Sequence, residues 1–168
     1  MISWKTLRTV CLVLLLIPIV HLVYLVSRDT VATLNSSPDA WAEEIDAYAR
    51  QDRASKLPEN PIVVVGGRRV KLWPGLEDLL SPMPVLMRGL GDATVDDLIH
   101  NYERLIGFYR PETVVLLPSS SEFHIRANKD ADDLARGIEE LVELNAYHAA
   151  NSNFYVITPL KTPLHASK

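Results

Sequence analysis

The stretch VVVGGRRVKLW, Val63 to Trp73, decides the fold. A run of β-branched residues reads as a buried strand, and the two glycines after it read as a tight turn. In α/β proteins that strand-to-turn position holds a catalytic group or a phosphate cradle. Three further stretches read as strands: Pro84 to Met87, Thr113 to Leu117 (TVVLL) and Asn153 to Thr158. Val95, Leu98, Ile99, Tyr102, Leu105 and Ile106 keep helical spacing, which predicts one amphipathic helix from Thr94 to Phe108. Leu134, Ile138, Leu141 and Val142 predict another from Asp130 to Ala149. Ser37 is a good N-cap with Pro38 at the first helical position, and Trp41, Ile45 and Tyr48 share one face of the helix that follows. Strands alternating with helices predict a parallel sheet of about four strands covered on both faces. Trp73 is expected to be a core aromatic.

The 168 residues allow one ordinary domain and a short appendage. A net charge of −4 argues against a nucleic-acid-binding surface. Cys11 is the single cysteine, so neither an intrachain disulfide nor a thiolate zinc site can form, and five scattered histidines lack metal-binding spacing. No metal and no cofactor are expected. Val10 to Val26 is an apolar run interrupted by one strongly polar residue, His21. As a helix it would be roughly 26 Å long, enough to cross a bilayer with slight local thinning. Lys5 and Arg8 precede it, which places the N-terminus in the cytoplasm and the remainder outside. A cleaved signal peptide is the competing reading, but the apolar core is long for one and Thr30-Val31-Ala32 is a poor cleavage site after Arg28 and Asp29. The expected organisation is an anchor over residues 1–28, a linker over 29–37 and a domain over 38–168. Residues 10–26 would contact the lipid bilayer. All 21 acidic residues lie beyond Val26 against 15 of the 17 Lys and Arg, so the part after Val26 carries −6.

At the expected strand ends stand Gly66-Gly67-Arg68-Arg69, Arg88-Gly89-Leu90-Gly91-Asp92 and Pro118-Ser119-Ser120-Ser121-Glu122. With their spacings, these resemble the SGNH/GDSL hydrolase family of serine esterases and lipases, from about Trp41 to Pro163. VGGRRVKLW resembles a first motif of the form V-G-S-S-S-I-R-x-W, and Asp52-Arg53-Ala54-Ser55 matches the D-R-A-S that precedes it. MRGLGDATVDDL resembles N-R-G-x-G-G-x-x-x-x-D-x, and YRPETVVLLPSSSEF resembles Y-x-P-x-x-V-V-L-x-x-G-x-N-D-x. The resemblance implies a flavodoxin-like three-layer α/β/α domain, here following one transmembrane helix.

The same resemblance implies that the chemistry is lost. The nucleophilic serine falls on Arg68, the oxyanion-hole glycine on Asp92, the oxyanion-hole asparagine on Ser121 and the following aspartate on Glu122. The catalytic Asp-x-x-His motif would follow a further helix beyond the last strand, and His165 comes too early to fill that role. The member is thus expected to be degenerate and truncated, with no fifth strand and with the fourth strand's edge bare or capped by residues 159–168. A guanidinium cannot attack an ester, and a carboxylate beside the hole would oppose an oxyanion. Arg68 and Asp92 are expected to face each other, with Glu122 as a second anion for Arg68. Arg68, Arg69, Lys71, Arg88, Ser119 and Ser120 are the candidate ligand-binding residues, for instance toward an acidic or acylated saccharide. The leading expectation is an inactive, membrane-anchored protein with a binding or assembly role, beside an envelope protein, in a bacterial cytoplasmic membrane with the C-terminal domain outside. The alternatives are an envelope esterase with a non-standard or partner-completed site, built for instance on Ser119–Ser121 with His124, and a purely structural membrane protein.

Overall fold

A computed structural model describes residues 4–34, 37–73, 75–124, 129–149 and 151–158. The chain forms two units, Met1–Asn35 and Ser36–Lys168. The first contains helix α1, Trp4–Leu34. It runs through the whole apolar stretch and through most of the expected linker, because Thr30 to Leu34 contains no glycine or proline to stop it. Leu14, Leu15, Leu16 and Ile17 are exposed along it. Among the described residues no helix is long and apolar enough to cross a membrane. The expected transmembrane helix is thus unsupported, although the backbone is helical throughout Val10 to Val26.

In the second unit, Ser37 accepts a hydrogen bond from the Asp39 N–H at 3.3 Å, and Pro38 opens a 3₁₀ turn, Pro38–Trp41. Helix α2 (Ala42–Ala54) continues from it and buries Ile45. Strand β1 (Ile62–Gly66) leads into the one-turn helices α3 (Arg68–Lys71) and α4 (Leu76–Leu79), then into β2 (Val85–Gly89). Helices α5 (Val95–His100) and α6 (Tyr102–Leu105) and a 3₁₀ turn, Gly107–Tyr109, precede β3 (Thr113–Leu117). A one-turn α7 (Ser121–His124), the long α8 (Ala131–His148) and β4 (Asn153–Val156) follow.

The four strands are parallel in the order β2-β1-β3-β4. Period-two alternation assigns the faces. Val63, Val65, Val114 and Leu116 meet α2, α5, α6 and α8 in the main core, whereas Val64, Val85 and Leu117 meet Val70 of α3 and partly buried Leu76 of α4. The second face is thus covered, among the described residues, only by two one-turn helices. No fifth strand occurs among the described residues, and any capping of β4 by residues 159–168 lies outside them.

The predicted single helix over Thr94–Phe108 is instead α5, α6 and the 3₁₀ turn. Asn101 leaves helical geometry at φ −101°, ψ 17°, while its side-chain amide donates to the Asp97 carbonyl at 2.9 Å. A short polar side chain that bonds to local backbone competes with helix continuation. On α8 the buried stripe is Leu134, Gly137, Leu141 and Asn145, and Val142 is exposed. Asn145 belongs to the stripe because its Oδ1 accepts from the Tyr102 hydroxyl at 3.0 Å. Both α5 and α8 begin with reciprocal capping boxes, Thr94 with Asp97 and Asp130 with Asp133.

Arg88 sits on the α2-facing side of β2 and is 3 % exposed. Its Nη2 donates to Asp52 Oδ1 at 2.6 Å, its Nε to the Tyr109 hydroxyl at 2.8 Å, and its Nη1 to the Met87 carbonyl at 2.9 Å. The Tyr109 hydroxyl donates in turn to the other Asp52 oxygen. Burial, with the Asp52 hydrogen bond adding to it, pushes the Tyr109 phenol up to about 12. Arg88, expected among the ligand-binding residues, is therefore a structural charge neutralised inside the domain. Removing one member of a buried pair costs about 3–5 kcal/mol, since the survivor stays buried and unpaired. Asp52→Ala should lose that much stability in urea unfolding, and Asp52→Leu/Arg88→Met/Tyr109→Phe should recover most of it. A loss of under about 1 kcal/mol for Asp52→Ala would show the pair to be dispensable.

Candidate functional site

The order β2-β1-β3-β4 reverses direction between β1 and β3, and open α/β sheets bind ligands in the crevice at the strand carboxyl ends beside such a reversal. The turn after β1 is forced into shape by Gly66. At φ +155°, a Cβ there would lie 2.2 Å from the Leu117 carbonyl oxygen of β3. Gly67 is packed as closely, since a Cβ would lie 2.8 Å from Ser119 Cβ. These two glycines bring the start of α3 against the loop after β3. The Leu90 N–H donates to the Gly66 carbonyl at 2.9 Å and adds the loop after β2.

Three loops thus converge, and Arg68 and Asp92 meet across them. Arg68 Nε donates to Asp92 Oδ1 at 3.2 Å and Nη2 to Oδ2 at 2.5 Å, a two-point ion pair. The guanidinium side is 61 % exposed and the carboxylate 12 %. Beside the pair lies a hollow of about 460 Å³ lined by Arg68, Arg69, Leu72, Trp73, Ser119 and Ser120, with Asp92 at its wall. The pair therefore stands at the strand ends without closing the space next to it.

The remaining expected site residues divide. Arg69, Ser119 and Ser120 share this hollow with Arg68, whereas Lys71 and Arg88 do not line it. Lys71 Nζ pairs with Glu44 Oε1 at 2.8 Å, and Glu44 Oε2 accepts from the Gly91 N–H at 3.1 Å. The Lys71 side of α3 is thereby tied to α2 and not to the site. Trp73 is 43 % exposed at the rim, contrary to a core role, because one-turn α3 sends a single residue, Val70, inward.

Ser121 and Glu122 turn inward. Ser121 is buried, and the Ser119 hydroxyl donates to its Oγ at 3.0 Å while the Ser121 N–H donates to Ser119 Oγ at 3.2 Å. Glu122 is fully buried and so does not serve as a second anion for Arg68. Its carboxylate accepts from the Val95 N–H and stands 3.1 Å from Lys129 Nζ, which also pairs with Asp96 at 2.8 Å. Burial raises the Glu122 pKa above the ordinary carboxyl value, against the pull of Lys129. Burial opposes the charge of Lys129, but its hydrogen bond to Asp96 and the Glu122 charge outweigh that and raise its pKa. His148, at the C-terminus of α8, lies 3.8 Å from Glu103, and His100 is exposed. No cluster of three potential metal ligands occurs among the described residues.

Sequence reasoning missed Glu44 and Leu72. Glu44 carries no motif, and its task follows from α2 starting level with the strand ends. Leu72, at the x of the first-motif resemblance, lines the hollow beside Trp73.

No family model matches the sequence, and no curated protein does. Solved structures do. A protein from Streptococcus pneumoniae described as a platelet activating factor aligns with TM-score 0.57 and 16% identity over 68% of this chain and 52% of its own. A protein from Bacteroides fragilis described as an acylhydrolase aligns with TM-score 0.55 and 18% identity over 66% of this chain and 55% of its own. A protein from Parabacteroides merdae described as a GDSL-like lipase gives TM-score 0.46 at 11% identity, over 60% of each chain. The aligned part spans about half the length of the first two. The fold is that of the SGNH/GDSL hydrolases, and at these identities the likeness concerns fold alone.

Because Arg68 is largely exposed, its pair with Asp92 is worth only about 0–1 kcal/mol after solvent screening. Arg68→Ala should therefore leave the urea midpoint nearly unchanged. A loss of several kcal/mol would mean that the pair is part of the folding frame.

Proposed function

We propose that this chain is a membrane-anchored protein that uses an SGNH hydrolase-like fold for binding or assembly at a bacterial envelope, without cleaving esters. The observation that carries the reading is the two-point ion pair of Arg68 with Asp92. Acyl transfer requires a nucleophile next to a base and donors aimed at the developing oxyanion, and losing one such donor costs about 100- to 1000-fold. Here a cation stands at the nucleophile position, and an anion stands where the resemblance expects an oxyanion donor. Ser119 and Ser121 hydrogen-bond to each other, which favours a structural role for both.

The anchor reading is supported by the composition of Val10 to Val26 and by the continuous helix that contains it. On that reading the chain crosses the cytoplasmic membrane once, with the C-terminal domain on the outer side. The partners would be the lipid bilayer together with an envelope protein or an acidic or acylated saccharide.

Purified full-length protein should turn over p-nitrophenyl acetate no faster than a heat-unfolded sample. Arg68→Ser should not restore activity, because Asp92 remains at the oxyanion position. Turnover abolished by Ser119→Ala, Ser120→Ala or Ser121→Ala would overturn the reading in favour of a non-standard esterase. Membrane extracts should yield a species whose intact mass includes residues 10–26, and a mature form starting near Thr33 would contradict the anchor.

A further inference from the structure

The end of the domain that carries the strand-end hollow is also the end at which the chain enters the domain. The 3₁₀ turn Pro38–Trp41 stands level with the loop after β2. A Cβ on Gly91 would lie 2.5 Å from Trp41 Cζ3, and Glu44 in the first turn of α2 holds the Gly91 N–H. The chain therefore enters the domain at the end whose loops bear Arg68, Arg69, Leu72 and Trp73.

That face has an unusual composition for water. Leu72 and Trp73 are adjacent and 65 % and 43 % exposed. Arg69 is exposed and makes no ion pair among the described residues, and Arg68 spends only two of its five N–H donors on Asp92. Tryptophan favours the headgroup level of a bilayer, leucine the acyl boundary beneath it, and arginine the lipid phosphates. The residues beyond Val26 carry 21 acids against 15 Lys and Arg, so an anionic bilayer repels most of the domain and is better tolerated at this basic, apolar edge.

We propose that the segment Arg68–Trp73 docks on the surface of a bilayer containing anionic phospholipid, with Arg68 and Arg69 on phosphodiester headgroups and Leu72 and Trp73 inserted beside them. The proposal rests on the anchor reading above and gives the strand-end site its occupant. Tethering supplies a high effective lipid concentration, so one unpaired arginine and two apolar side chains suffice for docking that is modest in free solution.

The test uses the full chain with Cys11→Ser and a single new cysteine, Leu72→Cys, carrying an environment-sensitive fluorophore. It is reconstituted in vesicles of phosphatidylcholine alone or mixed with phosphatidylglycerol, with nitroxide-bearing lipid as quencher. A second label at Tyr147→Cys, exposed at the C-terminal end of α8, reports on the opposite end of the sheet. The expected result is a blue-shifted, several-fold more strongly quenched label at position 72 in the anionic vesicles, reversed by Arg69→Glu, with the label at 147 unaffected. Equal quenching at both positions, or a water-like label at 72 in protein that stays with the vesicles through an alkaline wash, would overturn docking while leaving the anchor standing. Loss of the chain from the vesicles in that wash would overturn both. A shift at 72 produced by soluble glycerol phosphate without any effect of vesicle charge would instead mark a small-anion site and overturn the bilayer as occupant.

Discussion

One buried guanidinium organises this domain. Arg88 cannot reach water from the inner side of β2, so it requires a carboxylate, and Asp52 at the end of α2 supplies it while Tyr109 closes the triangle from the turn before β3. The Arg88 guanidinium lies 4.9 Å from the Tyr48 ring centre and 4.6 Å from that of Tyr109, so aromatic faces cover the charge. This contact sets the position of α2 along the sheet. With that position set, Tyr48 donates to the Gly89 carbonyl at 2.7 Å and Glu44 holds the Gly91 N–H. The loop after β2 is then held where Asp92 meets Arg68. The Arg68–Asp92 surface pair thus depends on a buried pair at the far end of α2.

The two pairs answer different physical demands. The Asp52–Arg88 pair is desolvated and stabilises only as a complete unit, so it constrains which sequences retain the fold. The Arg68–Asp92 pair is solvent-screened and contributes little to stability, so the frame does not depend on it. The glycine turn, Gly66 against Leu117, is a packing requirement that does not depend on which side chain stands at position 68.

Much of this was legible in the sequence. The strands were, since runs such as Thr113–Leu117 lie between turn residues, and so were the helix starts, since Ser37 and Asp130 are strong caps. The juxtaposition of Arg68 and Asp92 followed from motif positions. Arg88 was misplaced because its position near a strand end suggested the site, although alternation puts it on the same face as Leu86, toward the core. The matching D-R-A-S stretch contained its partner, but nothing local connects residues 36 positions apart. The break at Asn101 was hidden because the apolar spacing continues across it, and periodicity records which residues face inward without recording whether the backbone between them is continuous. Trp73 shows the opposite, since a motif position does not fix burial and the side chain stands exposed at the rim.

The proposed binding role requires that no activated nucleophile stand at the strand ends. A fluorophosphonate reagent tests it without knowledge of any substrate, because it forms a covalent bond only with a serine activated for attack. Intact-mass and peptide analysis of the full-length protein after exposure should show no adduct, under conditions in which an active serine esterase is labelled fully. A stoichiometric adduct on Ser119, Ser120 or Ser121 would contradict the account.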